Sequence, residues 1–207
     1  MYTMRVTKEK TEQTRQQLLE AATIVFGKKG YTATKLEEIA TEAGVTRGAI
    51  SWHFQNKQNI FRAVVKEGRL QTLRFIKDYL NSDLDPESKI AGFIQYLVKD
   101  RKRKHYQVTI LGKLRDEAPP EFEDLIKQIT TTQKEIIASL QTTIEEGITT
   151  GIFAKQCDAV LSAKSIYVFF GGFFTSQPEM YEEYDETRLI AFLTQFINRL
   201  LQTESAP

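Results

Sequence analysis

The chain is predicted to be all-α, with about nine helices, and three observations carry that prediction. Apolar residues recur at three- and four-residue spacing along most of its 207 residues. Its five prolines stand at Pro86, Pro119, Pro120, Pro178 and Pro207, which leaves long uninterrupted stretches between them. Neither Asn-Gly nor Asp-Gly, the strongest short hairpin signals, occurs anywhere.

Each helix has its own signal. The first is expected from about Lys8 to Lys28, because Leu18, Leu19, Ala22, Val25 and Phe26 give it one apolar face. Lys28 and Lys29 complement the C-terminal dipole, and Gly30 is a natural stop. A short helix follows at Leu36–Ala43 with Thr34 as its cap, and Gly44 supplies the left-handed residue of a tight turn. Thr46 caps a third helix, Arg47 to Phe54, and a fourth runs from Lys57 to about Leu80. Asn81-Ser82-Asp83 and Asp85-Pro86 break the chain before a helix through Ile90, Phe93, Ile94 and Leu97. The basic run Arg101–Lys104 reads as a solvated loop ahead of a helix around Val108–Leu114. Pro119-Pro120 begins a long helix through Phe122, Leu125, Ile129, Ile136, Leu140 and Ile144, closed by Gly147 and Gly151. Asp158 caps a helix through Phe174, Pro178 marks the next loop, and a last helix spans about Asp185–Leu201.

Composition narrows the class. The chain is 41% hydrophobic, enough for a sizeable core, and 27% charged, which favours solubility. No apolar run approaches the ~20 residues of a membrane span, and the first 15 residues lack the apolar core of a signal peptide. Cys157 is the only cysteine, so no intrachain disulfide forms, and the expected compartment is the cytoplasm. Charge is uneven along the chain. Residues 1–69 hold 12 Lys/Arg against 7 Asp/Glu, whereas residues 70–207 hold 16 against 20. A basic first third suits a nucleic-acid footprint, and the same division sets a candidate DNA-binding domain, 1–69, apart from the rest of the chain, 70–207.

The segment Thr34 to Lys57 reads as a helix-turn-helix. Leu36, Ile39, Ala40 and Ala43 line the inner face of its first helix, and small Ala40 lets the second helix cross close by. Gly44 makes the turn, Val45 plugs the angle, and Ile50 with Phe54 bury the inner face of the second helix. Arg47, Gly48, Ser51, Trp52 and His53 are left for the outer face. Small residues at the start of such a helix allow close approach to the major-groove floor. Arg47 is the only long donor at that start able to bridge guanine O6 and N7.

Within residues 14–63, and above all in Gly-Val-Thr-Arg-Gly-Ala-Ile-x-Trp-His-Phe-x-Asn-Lys, the sequence resembles the tetracycline-repressor (TetR/AcrR) family of bacterial regulators. It is most similar to the branch that controls multidrug efflux pumps. The resemblance implies phosphate contacts from Thr34, Lys35, Thr46, Ser51, Trp52, His53 and Lys57. It implies base-edge proximity for Arg47, Gly48 and Ala49. Most family members carry a tyrosine at the position of Ser51, whose shorter side chain reaches less far toward a phosphate. The partners it implies are a palindromic double-stranded operator, a second copy of the chain, and a small lipophilic effector that lowers operator affinity.

The remainder, residues 70–207, resembles the family only in length and helix pattern, and the resemblance implies that it is the effector-binding and dimerisation domain. The last helix carries a sustained stripe of Leu189, Phe192, Leu193, Phe196, Ile197 and Leu200, and the helix before it holds Phe169, Phe170 and Phe173 around a glycine pair. These nine residues are the expected dimer face. Phe75, Phe93, Tyr96, Leu97, Val108, Leu114, Gln133, Ile137, Leu140 and Tyr167 are the expected lining of an effector pocket. No cofactor, metal or catalytic role is expected, because His53, His105 and Cys157 stand at no metal spacing and neither a phosphate loop nor a nucleophile elbow occurs. Two alternatives stay open at this point. One is the same fold answering to a protein partner or to oxidation of Cys157; the other is an architectural DNA-binding protein.

Overall fold

The computed structural model describes residues 2–99, 101–117, 119–175 and 183–202, and of residues 2–8, 102, 117, 174 and 175 the backbone alone. The described residues form nine α-helices: α1 Tyr2–Ala33, α2 Leu36–Glu42, α3 Arg47–Phe54, α4 Lys57–Phe75, α5 Pro86–Val98, α6 Arg101–Glu117, α7 Glu123–Thr149, α8 Ala159–Thr175 and α9 Glu186–Gln202. A π-helical turn, Ile76–Leu80, continues α4, and a 3-10 turn, Pro120–Phe122, introduces α7. The loop at Pro178 and the side chain of Phe174 lie outside the described residues.

Several boundaries differ from expectation for local reasons. α1 starts at Tyr2 and carries a break at Gly30, whose φ of +77° is the left-handed turn expected of it. The α1 carbonyls near that break are held by remote lysines rather than by Lys28 and Lys29. Lys113 of α6 donates to Gly27 O and Lys28 O, both at 3.0 Å, and Lys57 of α4 donates to Tyr31 O, Thr32 O and Thr34 O at 3.0 to 3.2 Å. The cap of α2 is Lys35 and not Thr34: the Glu38 carboxylate accepts from the Lys35 N–H at 3.0 Å. α2 closes as a Schellman turn, with Val45 N donating to Ala40 O and Gly44 N to Thr41 O around Gly44 at φ +66°. Thr46 occupies the cap position of α3, but its side chain makes no capping hydrogen bond.

Between α3 and α4 the chain reverses in a γ-turn. Asn56 N donates to Phe54 O at 2.8 Å, and Gln55 takes φ +67°, ψ −51°, a strained conformation for a residue with a Cβ. Asn56 then caps α4 by accepting from Asn59 N at 2.8 Å. The basic run is not a loop. Arg101–Lys104 forms the first turn of α6, directly after α5 ends at Val98. Gly147 does not end α7. It is a buried contact inside that helix, where a Cβ would lie 2.1 Å from the Phe153 ring, and Gly151 at φ +75° makes the turn beyond it.

Two cores result. The first joins α1 to α4 with Ile110 and Leu114 of α6, Phe122, and Leu125 of α7. The second joins the end of α4 and the π-turn to α5, α7, α8 and α9. The expected division at residue 69 therefore falls inside α4. That helix places Ile60, Phe61, Val64 and Val65 in the first core and Phe75 in the second. α6 is fitted to α1 just as closely, since a Cβ on Gly27 would lie 2.6 Å from the Tyr106 ring. No described helix is long and apolar enough to cross a membrane.

Candidate nucleic-acid interface

α3 is held by its inner face. Ile50 is fully enclosed and Phe54 nearly so, both against the first core. This burial fixes the rotation of an eight-residue helix that has little stability of its own. It turns Arg47, Gly48, Ser51 and Trp52 to solvent, with Trp52 69% exposed. Ala49 is half-buried at the edge of this face, and Thr46 and Lys35 are exposed beside it.

The face is pre-set by charge. The Arg47 guanidinium meets Glu37 of α2 at 2.6 Å, both side chains standing in solvent. His53 is half-buried, its ring edge-on to Trp52 with centroids 4.5 Å apart. Burial holds the imidazole pKa below its usual value, and the charge of Arg15 adds to that effect while Glu12 opposes it.

Two of the expected contact residues have other work. The Thr34 hydroxyl is buried and donates to Gly30 O at 2.7 Å, so it helps close α1. Lys57 directs its ammonium at three carbonyls at the end of α1 and lies 4.6 Å from the centre of the Tyr31 ring. An ammonium has three donors, and all three of these are taken. As the fold places them, neither side chain has a donor left over for a phosphate. A lysine opening a helix cannot be told from a phosphate ligand in sequence, because its partners lie 23 to 26 residues away.

The expected dimer residues split between two faces. Phe170, Phe173, Leu189, Leu193 and Ile197 are buried in the chain's own second core. Phe169, Phe192, Phe196 and Leu200 point outward. Phe169 and Phe196 lie 5.7 Å apart across α8 and α9, and Phe192 stacks with Phe196 at 6.5 Å. Leu161 and Val168, 62% and 68% exposed, extend the outward stripe along α8, and sequence reasoning missed them. Their seven-residue spacing, opposite Ala163, Ile166 and Phe170, is the signal that could have found them.

The expected pocket residues also separate. Leu114 belongs to the first core and leaves the set. Phe75, Phe93 and Leu140 are buried in the second core, with Leu97, Val108 and Ile137 half-buried against it. Tyr96 stacks on Phe75 at 4.3 Å and shares a 3.2 Å hydrogen bond with the Thr72 hydroxyl. Gln133 accepts from Arg115 at 3.4 Å. The charge of Arg115 also reaches the half-buried Tyr167, whose phenol burial pushes to a raised pKa.

The helix-turn-helix and the surrounding fold have relatives. Residues 18–64 match the family described as bacterial regulatory proteins, tetR family. The HTH-type transcriptional repressor BepR of Brucella suis biovar 1 (strain 1330) is 29% identical over 211 residues, covering 99% of this chain and 98% of its own. The HTH-type transcriptional regulator TtgR of Pseudomonas putida is 41% identical over 87 residues, which is 42% of this chain and 39% of that protein. A crystal structure of a bacterial regulatory protein in the tetR family from Rhodococcus RHA1 superposes with a TM-score of 0.70 at 21% identity. That match covers 93% of this chain and 98% of the other. The motif, the whole-length similarity to a repressor and the shared arrangement of helices agree: residues 18–64 carry the helix-turn-helix of the tetR family of bacterial regulatory proteins, and the whole chain is similar to regulators of that family.

Proposed function

We propose that this chain is a dimeric transcriptional repressor that holds a palindromic operator with α3 of each copy and is released by a lipophilic small molecule. The observation that carries the DNA-binding part is the two-faced packing of α3. Ile50 and Phe54 lock one side into the core while Arg47, Gly48, Ser51 and Trp52 stand open on the other. Arg47 reads base edges, Gly48 and Ala49 allow close approach, and Lys35, Thr46, Ser51, Trp52 and His53 meet the backbone. Two-fold pairing through the outward stripe of α8 and α9 sets the two recognition helices about one duplex turn apart, ~34–36 Å.

Release follows from the shape of the lever. α4 spans both cores, and Arg62 ties it to α7 through Asp124 at 2.7 Å and to the 3-10 turn before α7 through the Glu121 carbonyl. An effector that prefers a differently packed second core shifts α4 and changes the spacing of the α3 pair. The test is footprinting of the purified dimer on the DNA upstream of its own gene, then titration with lipophilic compounds. Protection of two half-sites of one palindrome, lost on adding compound, is the expected result. Uniform, sequence-blind protection would favour an architectural protein. Specific protection that no compound relieves would favour a protein or oxidant signal, with Cys157, half-buried and 3.3 Å from the Ser162 hydroxyl, as the first thiol to replace.

A further inference from the structure

At the end of α4 remote from the helix-turn-helix, three helices meet around a polar cluster that operator binding does not use. Thr72 of α4 bonds the Tyr96 hydroxyl of α5 at 3.2 Å, and the Lys104 ammonium of α6 lies 3.7 Å from the centre of the Tyr96 ring. Arg69 stands one turn before Thr72 on α4, and Arg103 lies in the first turn of α6. The two helices close on each other here, since a Cβ on Gly68 would sit 3.5 Å from the Gln107 side chain, one turn along α6 from Arg103. The charge of Arg103 acts on the Tyr96 hydroxyl, countering in part the burial that raises its pKa.

The two arginines are in an unusual state. Each keeps its Nε enclosed from solvent with no hydrogen-bond acceptor among the described residues. A guanidinium does not shed its proton, so an enclosed N–H without an acceptor costs free energy that an added acceptor would recover. The neighbouring carboxylate on α4, Glu67, accepts from Gln71 at 3.1 Å. Planar forks of this kind are matched by an anion with two or more acceptor oxygens. Beside them an aromatic wall of Phe75 on Tyr96, with Phe93 6.0 Å from Phe75, suits an apolar body.

We propose that the effector is an anionic amphiphile, with its carboxylate or phosphate head group held between Arg69 and Arg103 and its apolar part entering beside Tyr96 and Phe75. This rests on the effector reading above and names the chemical class for it. The position also gives the head group purchase on the DNA-binding domain. α6 runs as one helix from Arg103 to Lys113, and Lys113 grips the end of α1 through Gly27 O and Lys28 O. Drawing the first turn of α6 toward α4 tilts the same rigid element against α1.

The test uses ten-carbon chains that differ only in head group: decanoate, decyl phosphate, decanol and decyltrimethylammonium, each titrated into the full-length protein by calorimetry. At least one of the two anions should bind about ten times more tightly than decanol, and which one does so distinguishes carboxylate from phosphate. The cation should bind no better than decanol. R69Q and R103Q should each erase the anion's advantage while decanol affinity stays within about twofold, which shows that the variant is folded. Equal binding of anions and decanol by the unsubstituted protein overturns the head-group site and leaves an apolar effector pocket standing, as does a preference for the cation. Binding of none of the four overturns the effector reading itself.

Discussion

The guanidinium of Arg47 meets the Glu37 carboxylate at 2.6 Å, tying the first residue of α3 to the first turn of α2. Both groups are exposed, so the pair adds little to stability. Its consequence is for DNA. A carboxylate at this face repels phosphate and occupies the one long donor suited to guanine, so docking has to pull Arg47 away from it. Glu37→Gln should tighten binding to operator and to unrelated DNA alike, by about 0.5–1 kcal/mol, with unfolding midpoint nearly unchanged. Arg47→Ala should weaken operator binding by about 1–3 kcal/mol and relax preference at one base position per half-site. Gel-shift titrations on the operator and on shuffled sequence measure both. A loss from Arg47→Ala that is equal on the two DNAs would make Arg47 a phosphate contact.

Lys57 caps α1, so its removal should act on folding before it acts on DNA. Lys57→Ala leaves the Tyr31, Thr32 and Thr34 carbonyls without their charged donor. About 1–3 kcal/mol of stability should be lost in urea unfolding. The slope of log affinity against log salt should stay as it is, because no phosphate partner is removed. A slope shallower by about one unit would return Lys57 to the interface.

His53 should give operator binding a pH dependence. In the free protein its pKa is depressed, chiefly by burial. A depressed histidine disfavours its own protonation, so any stability it lends is present above the unfolded value of about 6.5 and is lost as pH falls through the folded value. A phosphate placed beside the ring raises the bound-state pKa relative to the free one. Binding then takes up a proton, and operator affinity should rise as pH falls from about 7.5 toward about 5.5. His53→Gln should flatten that rise. A flat profile in the unsubstituted protein would make His53 a packing partner of Trp52 and nothing more.

Phe192 and Phe196 should govern assembly. They stack at 6.5 Å on the outward side of α9, with Phe192 63% exposed. Phe192→Glu with Phe196→Glu should give a folded monomer in sedimentation, with an unchanged helical spectrum and much weaker operator binding. Ile197→Glu, one residue along but enclosed, should instead unfold the chain, because an unpaired carboxylate cannot be buried there. A folded dimer from the double variant would place the two-fold face elsewhere.

What sequence alone determined is local. The positions of α2 and α3, the left-handed residue at Gly44, the Pro86 start of α5 and the apolar stripe of α9 all follow from spacing and from the backbone preferences of single residues. Those signals act within a few residues, so they survive without knowledge of the rest of the chain. The side of a helix that faces inward was legible only where one face was apolar, as in α3. α9 carries large apolar residues on both faces, so Leu193 and Ile197 could not be separated from Phe192 and Phe196 by periodicity. Tertiary packing decided that, by placing α5 against one side and leaving the other open. It also decided the partners of charge. Lys57 and Lys113 reach carbonyls 23 to 86 residues away, Arg62 reaches Asp124, and the basic run Arg101–Lys104 becomes a helical turn beside Tyr96 rather than a loop. A charged side chain on a flexible stem takes whichever partner the fold brings within reach, and loop closure over such distances leaves no local pattern to read.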